Sequence, residues 1–146
     1  MTIPYAAAAV IVAELIARIG THPSGRKAVV AVVDSHGELI SMARMDGAAL
    51  SSLQLAMNKA YTAARAARTS EELGKKVASL GTSLANFGDA RYTGFGGGVP
   101  VRRNGAVIGA VAISGLVEED DIALATWAAE KLAQPTPAAS DSLPAS

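Results

Sequence analysis

The chain contains no cysteine, which excludes disulfide staples, Cys-ligated zinc, iron–sulfur centres and thiol catalysis. No sign of charge prevails either: 13 Lys plus Arg face 13 Asp plus Glu, and there is no basic run. The electrostatic footprint of a nucleic-acid binder or of a polybasic membrane anchor is therefore missing, and nucleic acid is not an expected partner. Long hydrophobic runs are absent too. The apolar segment from Ala6 to Ile19 is interrupted by Glu14 and Arg18 and follows no basic n-region. It falls short of the roughly 20 residues that cross a bilayer, so a cytoplasmic protein without membrane contact is expected. The two histidines, His22 in THPSG and His36 in SHG, have no second histidine or carboxylate at a recognised ligand spacing. No metal site is expected.

What remains is a 146-residue chain, half of it apolar, long enough for one domain that buries about two-thirds of its extended surface. Thr2 is placed to cap a first helix with Pro4 in its opening turn, ending at Gly20. Its large apolar residues Val12, Leu15, Ile16 and Ile19 recur at three- and four-residue spacing. Ala28 to Asp34 is a β-branched run of strand length, and Ser35-His36-Gly37 turns it into a second strand from Glu38 to Met45. Strict alternation there puts Ile40, Met42 and Arg44 on one face, so Arg44 is expected on a covered side of the sheet. An alanine-rich helix follows over 49–67, then a short helix capped by Thr69 with Glu72 at capping-box spacing. Leu80 to Gly98 sustains no period and reads as loop. Asn104-Gly105 marks a hairpin joining Val99–Arg103 to Ala106–Gly115. The last helix, from Glu118 to about Leu132, opens with four carboxylates that complement its positive N-terminus. The expected class is α+β: a central, mainly antiparallel sheet of two hairpins, with room for a fifth strand, flanked by helices. The domain is expected over 1–133, and the Pro/Ala/Ser composition of 134–146 predicts a disordered tail.

Few residues carry chemistry. Gly96, Gly97 and Gly98 can form a backbone nest for an anion, or simply admit the chain into an edge strand. Neither a Walker pattern nor a dinucleotide fingerprint is met. Arg44 and Lys59 are cations on surfaces otherwise small or apolar. They can hold a carboxylate, Arg44 as a planar fork and Lys59 as a point charge or proton donor, unless Arg44 pairs with Asp46 and Lys59 is solvated. Glu119 is a candidate general base, unless the acidic run serves only the helix dipole. Tyr61, Tyr92 and Phe95 are candidate pocket aromatics.

The segments VVAVVDSHGELISMARMDGA, NKAYTAARAA, GGGVPVRRNGAVIGAVAISG and EEDD, in this order, resemble the GlcG/HbpS-like haem-binding proteins, which include the C-terminal domain of PduO-type proteins. The resemblance spans about residues 5–132. It implies an α/β sandwich that assembles into homo-oligomers, from dimers to octamers. It also implies binding of haem or cobalamin-type ligands and, in other members, catabolism of aromatic compounds with action on unsaturated acids. Position by position it points to Arg44, Asp46 and Gly47, to Lys59, to Gly96–Gly98 with Val99 and Pro100, to Ser114 and Gly115, and to Glu119 and Asp121. The chain departs from the pattern at Ala112 and at Leu116-Val117, where glycine is more usual, and it offers no histidine in the first helix to ligate haem iron.

The leading expectation is an oligomeric protein binding a small anionic organic ligand, with haem as the family's candidate cofactor. Arg44, Asp46, Gly96, Gly97, Gly98 and Ser114 are the expected binding residues. The alternative is a cofactor-independent isomerase, hydratase or lyase on an unsaturated carboxylic acid, with Lys59 or Glu119 moving a proton. A structural or sensory assembly module is the third.

Overall fold

The computed structural model describes residues 1–135, so the tail expected over 134–146 lies almost wholly outside the described residues. Helix α1 (Tyr5–Gly20) leads into strands β1 (Val29–Asp34) and β2 (Leu39–Arg44). Helices α2 (Leu50–Ala66) and α3 (Ser70–Ser79) follow, then β3 (Gly98–Arg103), β4 (Ala106–Ser114) and α4 (Glu118–Ala133). The four strands form one antiparallel sheet in the order β2-β1-β4-β3, which gives the α+β class. Among the described residues no fifth strand joins it. Thr2 and Ile3 instead run past β4, with the Ile3 N–H donating to the Ile108 carbonyl at 3.1 Å.

Helices cover both faces, and this explains the unbroken apolar run of β1. Val30 and Val32 face α1 and α4, among Ile11, Leu15, Val111 and Ile113. Val29, Ala31 and Val33 face α2, among Ala56, Ala60, Ala63, Ala110 and Ala112. Alanine meets alanine across that second interface. Where these alanines meet there is little side-chain bulk, and the α2 backbone lies so close to the sheet that a Cβ at Gly98 would stand 2.1 Å from the Lys59 carbonyl oxygen.

Local chemistry sets most element ends. Thr69 caps α3 by accepting the Glu72 N–H at 3.1 Å. Asn104 and Gly105 both adopt positive φ, 53° and 79°, as a type I′ turn requires. Three expectations need correction. Thr2 is no helix cap: Pro4 occupies the N-cap position, and the Thr2 hydroxyl donates to the Ile108 carbonyl at 3.3 Å. The loop over 80–98 contains a 3₁₀ turn, Leu84–Phe87, capped by Ser83. A bulge also breaks the alternation of β2: Val32 pairs with Ser41 and Val33 with Leu39, so Ile40 is passed over. Ile40 consequently packs with Ala43 and Met45 toward α1 and α4, while Met42 packs toward α2. Arg44, at the end of this edge strand, is exposed rather than covered. Among the described residues no helix is long and apolar enough to cross a membrane.

Candidate functional site

The site is built around a lysine that the fold buries. Lys59, in the middle of α2, is 3% exposed, and Asp121, in the first turn of α4, is 2% exposed. The Lys59 ammonium donates to Asp121 Oδ2 at 3.3 Å and to the Ile113 carbonyl at 3.0 Å. Asp121 Oδ1 accepts the Leu116 N–H at 3.1 Å. Burial pushes the lysine pKa down, against the attraction of Asp121 and Glu118. Burial likewise pushes the Asp121 carboxyl up, against the attraction of Lys59 and the bond from Leu116. Both shifts favour the neutral pair, because a low-dielectric setting penalises each charge separately.

Over this pair runs a strap, Tyr92–Gly98, pinned by buried hydroxyls at both ends. The Thr93 N–H donates to Thr62 Oγ1 and the Gly98 N–H to Ser70 Oγ, each at 3.0 Å. Close approach of backbone to backbone requires Gly97 and Gly98, whereas Gly96 meets only the ends of side chains. A Cβ at Gly96 would lie 2.7 Å from Ile122 Cδ1. At Gly97, where φ is +126°, it would lie 2.6 Å from the Ile113 carbonyl oxygen and 3.0 Å from Lys59 Nζ. At Gly98 it would lie 2.1 Å from the Lys59 carbonyl oxygen. Gly97 and Gly98 thus lay backbone directly on Lys59, while Gly96 lies against Ile122 and Glu118. The expected anion nest is largely satisfied from within, since Gly96 N–H donates to Glu118 Oε1 at 2.6 Å and Gly98 N–H to Ser70.

A cleft of about 500 Å³ opens beside the pair, lined by Lys59, Asp121, Ser114, Gly96, Arg26 and Lys27 among others. Lys59, Gly96 and Ser114 therefore lie along one cleft, with Gly97 and Gly98 pressed on Lys59. Arg44 and Asp46 are exposed and outside the lining, and so is Glu119. The residues of α4 that reach the site are Glu118 and Asp121. The buried positions Ala125, Ala128, Ala129 and Leu132 set a helical register that puts Asp121 inward and Glu119 outward. Arg26 and Lys27, just before β1, carried no sequence signal.

The aromatics divide. Tyr92 and Phe95 line a second cleft of about 610 Å³. Tyr61 locks the loop before the strap: its hydroxyl donates to Asp89 and accepts from Arg91 at 3.1 Å, and the Arg91 guanidinium lies 3.9 Å above its ring. Arg91 also pairs with Glu38 at 3.1 Å, tying the loop to the first hairpin. His22 faces Asp120 at 3.5 Å, and His36 is exposed in its turn. Neither lines the Lys59 cleft.

Residues 3–130 match the family described as haem degrading protein HbpS-like, and the chain belongs to that family. An uncharacterised protein encoded between dhaT and dhaS in Citrobacter freundii is 44% identical over 104 residues, covering 68% of this chain and 72% of that protein. The structure is similar to that of the PduOC–haem complex, with a TM-score of 0.76, 28% identity, and coverage of 89% of this chain and 94% of that one. It is also similar to a double mutant of HbpS from Streptomyces reticuli, with a TM-score of 0.80, 27% identity, and coverage of 92% and 89%. The lining of the Lys59 cleft fits the acid groups of a haem but not its iron. Arg26, Lys27 and Lys59 suit carboxylates, whereas none of the imidazole, thioether, thiolate or phenol donors that hold haem iron stands among the lining residues.

Proposed function

We propose that this HbpS-like protein binds a small organic anion, a carboxylic acid, in the cleft over Lys59. The observation that carries the reading is the Lys59–Asp121 pair, buried at the floor of an open cleft. A buried ion pair of this kind loses more hydration than its attraction returns, so it is poorly explained as a stabilising device and well explained as binding equipment. Arg26 and Lys27 stand at the rim, neither in an ion pair among the described residues. They supply the charge that attracts an anion, and Lys59 has one N–H left to receive it. Haem is the ligand the family suggests. Bound here, its acid groups would be held by Arg26, Lys27 and Lys59.

Calorimetric titration with crotonate, beside an absorption titration with hemin, tests the reading. Saturable crotonate binding that weakens about tenfold in the Arg26→Ala/Lys27→Ala variant supports it, as the loss of charge-assisted hydrogen bonds predicts. A saturable Soret shift adds haem to the ligands, and crotonate binding without one confines them to small acids. No saturable binding of either overturns the proposal.

A second reading rests on the opposed shifts of the pair. An amine and a carboxyl both pushed toward neutrality are poised to exchange a proton with a bound acid, as a cofactor-independent isomerase, hydratase or lyase requires. Lys59 would move the proton and Asp121 would take the role that the sequence suggested for Glu119. Deuterium uptake into crotonate carbon in D₂O, abolished in Lys59→Met, supports catalysis. Uptake no faster than in buffer removes it.

Assembly is the remaining proposal. Tyr5, Leu50 and Leu80 each expose more than half of their surface, from 67% to 76%, which supports a homo-oligomer that covers them.

A further inference from the structure

The two clefts meet at one wall. The Lys59 cleft and the 610 Å³ cleft share only Phe95 and Glu118 in their linings. Their chemistry differs sharply. Arg26, Lys27 and Lys59 line the first. The second offers the apolar surfaces of Val77, Ala78, Leu84 and Tyr92, and its lysine, Lys75, is already paired with Glu71 at 2.6 Å. The wall itself is slight. Phe95 is 64% exposed, and Glu118 is an exposed side chain whose carboxylate is held by the Gly96 N–H.

We infer that Phe95 and Glu118 form a displaceable partition, and that the two clefts together make one elongated site for an amphipathic carboxylate. Its acid group lies by Lys59, and its apolar chain extends past Phe95 onto Val77, Ala78, Leu84 and Tyr92. The inference rests on the anion reading of the Lys59 cleft. Glu118 occupies the place that a ligand carboxylate competes for. An arriving carboxylate repels it by like charge and offers the Gly96 N–H a substitute acceptor. Release of Glu118 frees the wall, and the second cleft then reads the length of the chain, at about fourfold in affinity for each methylene fully buried.

Calorimetric titration of the whole chain with butyrate and with decanoate separates the possibilities. Ala78 is exposed on α3 and Leu84 is half-buried in the 3₁₀ turn, and both line the second cleft, so Ala78→Trp and Leu84→Trp fill it without entering the core. Decanoate is expected to bind the natural chain about 30-fold or more tighter than butyrate, given six additional methylenes partly buried. At least one of the two tryptophan variants is expected to remove most of that advantage while butyrate affinity stays within about twofold, since the acid site is untouched. A decanoate advantage that is absent, or unchanged in both variants while butyrate still binds, overturns the elongated site and leaves the anion site standing. If butyrate fails to bind the natural chain, the anion reading falls and the elongated site falls with it.

Discussion

Gly97 forms the roof over Lys59: a Cβ at this glycine would stand 3.0 Å from the lysine Nζ and 2.6 Å from the Ile113 carbonyl that the same ammonium bonds. Its φ of +126° is one that side chains of L-residues rarely adopt. Gly97→Ala is therefore expected to cost on the order of 1–3 kcal/mol in urea unfolding, through backbone strain and overpacking together. It should also weaken crotonate binding by displacing Lys59. An alanine variant as stable as the natural protein would show that the strap does not press on the lysine.

The ion pair predicts a non-additive pair of substitutions. Lys59→Met alone leaves Asp121 buried without its partner and is expected to destabilise the fold by about 3–5 kcal/mol. Lys59→Met combined with Asp121→Leu removes both charges and is expected to be neutral or stabilising by about 1–4 kcal/mol. Urea denaturation of the two variants measures both values. Equal loss in single and double variants would contradict the cost assigned to burial.

The pH dependence follows from the same two shifts. Asp121 is raised from 3.8, so the native state holds its proton more tightly than the unfolded chain does. Stability is then lost as pH rises from about 3.8 through the folded value. Lys59 is lowered from 10.5, so the unfolded chain holds that proton more tightly. Its contribution is lost as pH falls from about 10.5 through the folded value. The difference in unfolding free energy between the natural protein and the Lys59→Met/Asp121→Leu variant should therefore be least favourable to the natural protein between these limits, and should improve toward both. A flat difference from pH 4 to 10 would contradict the shifts.

Tyr61 acts at a distance from the cleft. Its hydroxyl joins Asp89 to Arg91, and these hold the loop that becomes the strap. Tyr61→Phe is expected to leave the fold intact and to speed amide hydrogen exchange over 89–95 relative to β1 and β4, because local opening loses one of its polar anchors. Exchange unchanged in that segment would show that the strap is held by Thr62 and Ser70 alone.

Assembly predicts a mass in solution that is a multiple of 14.8 kDa. Leu50, 76% exposed at the start of α2, is the substitution to make. Leu50→Glu should shift sedimentation toward smaller species if this surface is covered by another copy. A monomeric natural protein would remove the proposal.

Much of the fold was legible because it is local. Asn104-Gly105 dictates its own turn, Thr69 its own cap, and the β-branched run Val29–Val33 reads as a strand. The bulge at Ile40 was not legible, because it depends on how β1 aligns with β2, a property of two strands rather than of one. The site was legible in parts. Lys59 and Gly96 stood out as single residues and the family resemblance pointed to Ser114 and Asp121, but that Asp121 meets Lys59 from 62 positions away follows only from the fold. In a run of four carboxylates only the helical register separates the inward Asp121 from the outward Glu119. Arg26 and Lys27 belong to a loop whose place beside α2 and α4 arises only from the tertiary packing.

The most direct test is a chemical-shift titration of the isotope-labelled natural chain with crotonate. Binding over Lys59 predicts saturable shifts concentrated on the backbone amides of Gly96, Gly115 and Leu116, which border the cleft and the Asp121 carboxylate. Saturable shifts confined to other surfaces, or shifts that never saturate, would contradict an anion site at the Lys59–Asp121 pair.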